Sequence, residues 1–186
     1  EAIAVEVDLA VPDLRPAVVE AAVQRFGGVD VLFNNAGYAY AATLELHDME
    51  AAHRNFEVNY WAYVDLAQRV VPIMRERGGG TIVNVASILG HRPAPAGWGV
   101  YSAGKHALVG MFQAAAVELA PYGIRVRIAS PGGMRTNILR NAVGPLADRS
   151  RTGADDWESP DVVARDIFVM MLEDDVVFYP GAVGRD

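Results

Sequence analysis

The chain has 186 residues and 20.0 kDa, with 52% hydrophobic and 21% charged residues, enough for one domain with a sizeable core. Its net charge of -7 and pI near 5.1 argue against nucleic acid or an anionic membrane surface as partner, since an acidic protein neutralises neither. Cysteine is absent, which excludes disulfides, thiol nucleophiles and Cys-ligated zinc and fits a reducing, cytoplasmic setting. No apolar run approaches the about 18 residues of a membrane span, and the acid-interrupted start at Glu1 is unlike a signal peptide. With no repeat or linker, residues 1–186 read as a single domain.

In chain order, residues 3–9, rich in Val and Ile, predict a strand that closes on Asp8 and Leu9. Pro12 opens a helix over 12–26, with apolar positions at Leu14, Val18, Ala21, Ala22 and Phe26 and a stop at Gly27-Gly28. Residues 29–33 form a continuous apolar run, as in a strand buried on both faces, and lead into Asn34-Asn35-Ala36-Gly37. A helical region over 48–77 ends at three glycines, 81–86 is another buried strand, and Ser87 follows it. Helical signal returns over 99–122, then 124–129 is a strand ending in Ser130-Pro131-Gly132-Gly133. Residues 138–158 are polar and irregular; Ser159-Pro160-Asp161 caps a last helix through 172, and 176–179 is a final strand.

Strands alternating with helices predict an α/β fold, a doubly wound parallel sheet with helices on both faces. Ligands bind such sheets outside the carboxyl ends of the strands, where Asp8, Asn34 to Gly37, Ser87 and Pro131 to Thr136 all fall. The helix over 107–119 is apolar nearly all round, as is 58–74. A helix of that kind needs cover on every face, which predicts a homodimer or homotetramer built on these helices.

Of sixteen Lys plus Arg, one is lysine, Lys105, four residues after Tyr101. On a helix the two share a face, and a neighbouring ammonium favours the phenolate and lowers its pKa. Alone, the pair is also what chance places on a helix surface. His47, His53, His91 and His106 show no paired spacing and no carboxylate cluster, so no metal site is assigned; His91, after Ser87, is either a solvated loop residue or a substrate contact.

With Asn34-Asn35-Ala36-Gly37, Ser87, Tyr101 with Lys105, and Pro131-Gly132 through Thr136 in this order, the chain resembles the short-chain dehydrogenase/reductase family over essentially its whole length. The resemblance implies a Rossmann-like fold and an NAD- or NADP-dependent oxidoreductase that interconverts a small-molecule carbonyl and a secondary alcohol. It implies that Tyr101 is the proton donor or base, that Lys105 lowers its pKa and holds the nicotinamide ribose, and that Ser87 binds the substrate oxygen. Asn59 matches a helical asparagine that holds a relay water near the lysine. Asp8 with Leu9 matches the adenine contact, Asn35, Ala36 and Gly37 the adenosine-ribose turn, and Pro131, Gly132, Met134 and Thr136 the segment on the nicotinamide carboxamide and phosphates. The Ser87 to Tyr101 separation of fourteen is one longer than the commonest arrangement.

The family's glycine-rich turn after its first strand has no counterpart, because Gly27-Gly28 and Gly78-Gly79-Gly80 follow helices and precede strands. Residue 1 corresponds to the start of the third strand, so strands 1 and 2, roughly fifty residues at typical element lengths, are expected in a longer parent chain; otherwise residues 1–9 pair differently. The residue that chooses NAD or NADP is among those missing. A non-catalytic protein that senses cofactor or only self-associates is the alternative reading, and an NAD-holding lyase or epimerase a third.

Overall fold

The computed structural model describes residues 1–148 and 157–181. Its centre is a parallel sheet of β1 (Val31–Asn34), β2 (Gly80–Val85), β3 (Ile124–Ala129) and β4 (Val177–Phe178), in that spatial order. Asn34 stands beside Asn84, and Val85 beside Ala129, so the carboxyl ends of β1, β2 and β3 lie level.

Alternation along β2 and β3 supplies both faces of the sheet. Ile82, Val126 and Ile128 point into a core with Val70 and Met74 of α3 (Ala62–Glu76) and Leu108 and Phe112 of α4 (Gly99–Leu119). Val83 and Ala129 point the other way, onto Val163 and Ile167 of α5 (Pro160–Met170) and Phe178 of β4. Helices therefore cover both faces, as the alternating pattern requires. β1 is an edge strand, and its Val31 and Phe33 side chains remain exposed.

Two sequence expectations change. Residues 3–9 form no strand: Ile3 and Val5 are exposed, and the segment's first regular hydrogen bond is a turn in which Val11 N–H donates to the Asp8 carbonyl. Val and Ile favour strands only where a neighbour accepts the ladder. The helix over 12–26 starts with a single tight turn, Pro12–Leu14, before α1 (Pro16–Phe26), which Gly27 closes at φ 80°.

The helical region over 48–77 is three pieces in one rod: α2 (Met49–Phe56), a π-turn over Glu57–Trp61, and α3. Asp48 caps α2 by accepting from the N–H groups of Glu50 at 2.9 Å and Ala51 at 3.4 Å. Arg15, almost fully buried, ties the start of α1 to the π-turn through Glu57 at 2.6 Å and to α3 through Asp65 at 3.6 Å, and donates to the Leu9 carbonyl at 2.8 Å. Removing one partner of such a pair strands the rest, at a cost below the fully buried figure because Glu57 is partly solvated. Arg15→Met is therefore expected to lower stability by about 1–3 kcal/mol, whereas Arg25→Met, which loses an exposed pair with Glu1, changes it by at most about 0.5 kcal/mol. Denaturant midpoints of the two variants check the contrast.

Candidate active site

β2 delivers its carboxyl end to the first two turns of α4. Beyond Val85, Ser87 accepts from Leu89 N–H at 3.2 Å and so caps a tight turn, Ile88–Gly90. That turn lies directly on α4: a Cβ at Gly90 would stand 2.8 Å from the Lys105 carbonyl, and the Ser102 hydroxyl donates to the Leu89 carbonyl at 2.7 Å. A glycine is needed here for close approach rather than for an unusual dihedral. The contact carries Ser87 to Tyr101 and Lys105 across the longer intervening loop.

Tyr101 and Lys105 share one face of α4, and both are buried. The Lys105 ammonium donates to the Val85 carbonyl at 2.8 Å and stands 5.4 Å from the Tyr63 ring centroid and 5.7 Å from that of Tyr101. Burial pushes the Lys105 pKa down to about 7, since few groups nearby replace the water its charge has lost. Burial pushes the Tyr101 phenol up to about 12, against the opposing hydrogen bond with the Ser87 side chain. The net shift of the phenol is upward, set by burial, where the sequence reading expected the neighbouring ammonium to lower it. Its ammonium points at a carbonyl and is only partly charged near neutrality. Tyr101 is accordingly protonated at pH 7.

Asn59 sits in the π-turn, fully buried. Its oxygen accepts from Tyr38 N–H at 3.1 Å, and its amide donates to the Tyr38 carbonyl at 2.9 Å and to Asn55 Oδ1 at 3.1 Å. Asn55 in turn donates to the same Tyr38 carbonyl at 3.0 Å. The Asn59 side chain thus holds the loop after β1, and it does not line the cavity. Gly37 has a matching reason: a Cβ there would stand 2.6 Å from Asn59 Oδ1 and 4.0 Å from Lys105 Nζ. The space a side chain would take at Gly37 belongs to Asn59, and the loop passes close over the lysine.

These elements enclose a cavity of about 720 Å³, within the range of small-molecule sites. Ser87, Tyr101, Lys105, Asn35, Gly37, Pro131, Gly132, Met134 and Thr136 all line it. Ala36 is just outside, its carbonyl accepting from Tyr63 OH at 2.9 Å. Asp8 and Leu9 are not in the wall. Leu9 packs on the core, and Asp8 accepts from Arg54 at 2.7 Å and from Ala10 N–H at 2.9 Å, which hold its carboxyl below the ordinary range. His91 is partly buried and not in the wall; its Nε2 is 2.8 Å from Ser130 Oγ, and burial lowers its pKa.

Sequence reasoning missed Tyr38, Arg92, Trp98 and Trp157 in the wall. Trp98 could have been found, three residues before Tyr101 and so on its side of the helix start; the rings meet edge to face at 5.6 Å. Trp157 lies in the polar stretch over 138–158 and has no periodic signal; its indole covers Gly133, where a Cβ would come within 2.5 Å. Among the described residues no group of three or more His, Asp or Glu could hold a metal, and no helix is long and apolar enough to cross a membrane.

Residues 1–145 match the family described as short chain dehydrogenase, and the chain belongs to that family. It is 39% identical over 166 residues to the Mus musculus protein named dehydrogenase/reductase SDR family member 7B, covering 87% of this chain and 50% of that one. An uncharacterized oxidoreductase of Schizosaccharomyces pombe is 34% identical over 143 residues, 73% of this chain and 49% of that one. The chain spans about half the length of these curated relatives. Among solved structures, a short-chain dehydrogenase from Streptomyces avermitilis superposes with a TM-score of 0.84 at 29% identity, covering 97% of this chain and 70% of that one. One from Sphingobium yanoikuyae, in complex with NADPH, gives 0.78 at 27% identity, covering 92% and 65%.

The Lys105 pKa makes a testable statement about stability. Its folded value of about 7 lies below the roughly 10.4 of an exposed lysine, so between about pH 7 and 10 the unfolded chain holds a proton that the folded chain lacks. Stability from this group rises with pH across that window, and the penalty is complete below about 7. Against Lys105→Met, which removes the titration, the parent is expected to gain stability steadily from pH 7 to 10. Parallel denaturant midpoints check this; a constant difference between the two proteins would contradict it.

Proposed function

We propose that this chain carries the catalytic half of an NAD(P)-dependent oxidoreductase that interconverts a carbonyl and a secondary alcohol, its 186 residues acting as a single domain. The observation that carries the reading is the joint burial of Tyr101, Lys105 and Ser87 in one cavity wall at the carboxyl end of β2. A phenol, an ammonium and a hydroxyl converging on one enclosed space supply a proton, a charge and an oxygen-binding donor to a reacting carbonyl.

The residues fit the nicotinamide end of the cofactor. Of its three donors, the Lys105 ammonium spends one on Val85 O among the described residues, which leaves donors for the hydroxyls of a ribose. The segment Pro131 to Thr136 and the loop at Asn35 and Gly37 flank the same space. Relatives of this fold were crystallised with NADPH and with NADP, which supports that class of cofactor here. When bound, a nicotinamide supplies or accepts hydride at the substrate carbon. Tyr101, protonated at neutral pH, holds the proton that reaches the substrate oxygen in reduction, and Ser87 orients that oxygen. Asn59 contributes by fixing the backbone at Tyr38, over the lysine.

The test uses NADH and NADPH with a panel of ketones. Tyr101→Phe is expected to lower kcat/KM by about a hundredfold or more with an unchanged unfolding midpoint; a variant as active as the parent would refute the role. The alternative, a non-catalytic module of this fold, predicts no ketone-dependent oxidation of either cofactor by the parent.

A second copy is proposed to cover the outer face of α3 and α4. Val117 is 77% exposed and Trp61 and Met111 are also exposed, in line with the all-round apolar character of these helices. Light scattering at micromolar concentration is expected to return a dimer or tetramer, and Val117→Arg to shift it toward monomer; a monomeric parent would contradict this.

A further inference from the structure

We propose that the substrate is a ketone with an aromatic-sized apolar body and a carboxylate, the carboxylate being held by Arg92 at the wall of the cavity. The proposal rests on Tyr101 marking the reacting carbonyl. The chain has 23 Asp plus Glu against 16 Lys plus Arg, yet among the described residues the cavity wall contains no carboxylate and two cations, Lys105 and Arg92. A wall of that charge inside an acidic protein selects anions.

The two cations are not equivalent. Lys105 is buried and turned inward onto Val85 O. Arg92 is exposed, five residues past Ser87 on the loop that leads to Trp98, and makes no hydrogen bond or ion pair among the described residues. A guanidinium offers a planar fork of donors that matches a carboxylate in two parallel bonds.

Part of this wall is apolar and aromatic. Trp98 stands edge-on to Tyr101, Trp157 is seated over Gly133, and Leu89, Pro95 and Met134 fill in beside them. Such surfaces take a ring or a branched chain by burial. The reacting carbonyl at Ser87 and Tyr101, the apolar wall and the free guanidinium together describe a ketone whose far end is acidic. An anionic phosphate of the cofactor is the rival ligand for Arg92. The residues that match cofactor contacts, Asn35 to Gly37 and Pro131 to Thr136, lie on other segments.

The experiment compares 4-oxo-4-phenylbutanoate with its methyl ester, using the full chain and either cofactor. The acid is expected to exceed the ester in kcat/KM by about tenfold or more, the scale of a charge-assisted pair at a partly solvated site. Arg92→Gln is expected to bring that ratio to about one through KM, and Arg92→Glu to invert it. Equal values for the pair in the parent, or an unchanged ratio in Arg92→Gln, overturn the proposal. A change confined to the KM of the cofactor also overturns it and gives Arg92 to the cofactor phosphates. A second readout needs no turnover: two of the three tryptophans line the cavity, so 4-phenylbutanoate should quench their fluorescence more tightly than 4-phenylbutan-1-ol, and Arg92→Gln should abolish the difference. Turnover of neither ketone with that difference intact would refute the reading of Tyr101 and leave the anion site standing; no difference in either assay overturns the anion site itself.

Discussion

The buried ammonium of Lys105 is the constraint around which the site is arranged. A cation taken out of water loses its hydration, and here the replacement is one carbonyl, Val85 O at 2.8 Å, with the rings of Tyr63 and Tyr101 nearby. That arrangement fixes the end of β2 against α4 and sets the Ser87 turn beside Tyr101. It also leaves the lysine near its titration point at neutral pH. Few residue types would serve: a guanidinium stays charged and needs a wider fork of acceptors. Fifteen of the sixteen basic residues are arginine, and the one lysine is where a small, titratable cation is needed.

The loop after β1 shows how local backbone chemistry serves the same point. The π-turn at Glu57–Trp61 adds a residue to one helical turn, and Asn59 within it holds both backbone groups of Tyr38. Gly37 leaves the room that Asn59 occupies. Helix, loop and lysine are thereby in register, with Asn55 completing the amide network. The Asn59 side chain acts on the site through the position of the chain above it.

Much of this was legible in the sequence, for identifiable reasons. Continuous apolar runs marked β1 to β3, and the i,i+4 spacing of Tyr101 and Lys105 placed both on the buried face of α4. The strand-end residues Asn35, Ser87 and Pro131 were found because parallel sheets put their sites there. Residues 3–9 were misjudged because strand propensity says nothing about whether a ladder partner exists. The π-turn was invisible because its composition is that of any helix, and the bonds from Asn59 to the Tyr38 backbone, 21 residues away, leave no local signal. Trp157 and Arg92 sit in irregular segments, where periodicity gives no direction. The direction of the Tyr101 shift was not legible: proximity of a cation was, but the dehydration of both groups depends on tertiary packing.

The chain's single lysine permits a direct measurement of the central constraint. With lysine labelled at the ε-carbon, the protein gives one side-chain resonance, that of Lys105, whose chemical shift can be followed against pH. The account predicts a midpoint near pH 7, set by burial; a midpoint near the roughly 10.4 of a hydrated lysine would contradict it.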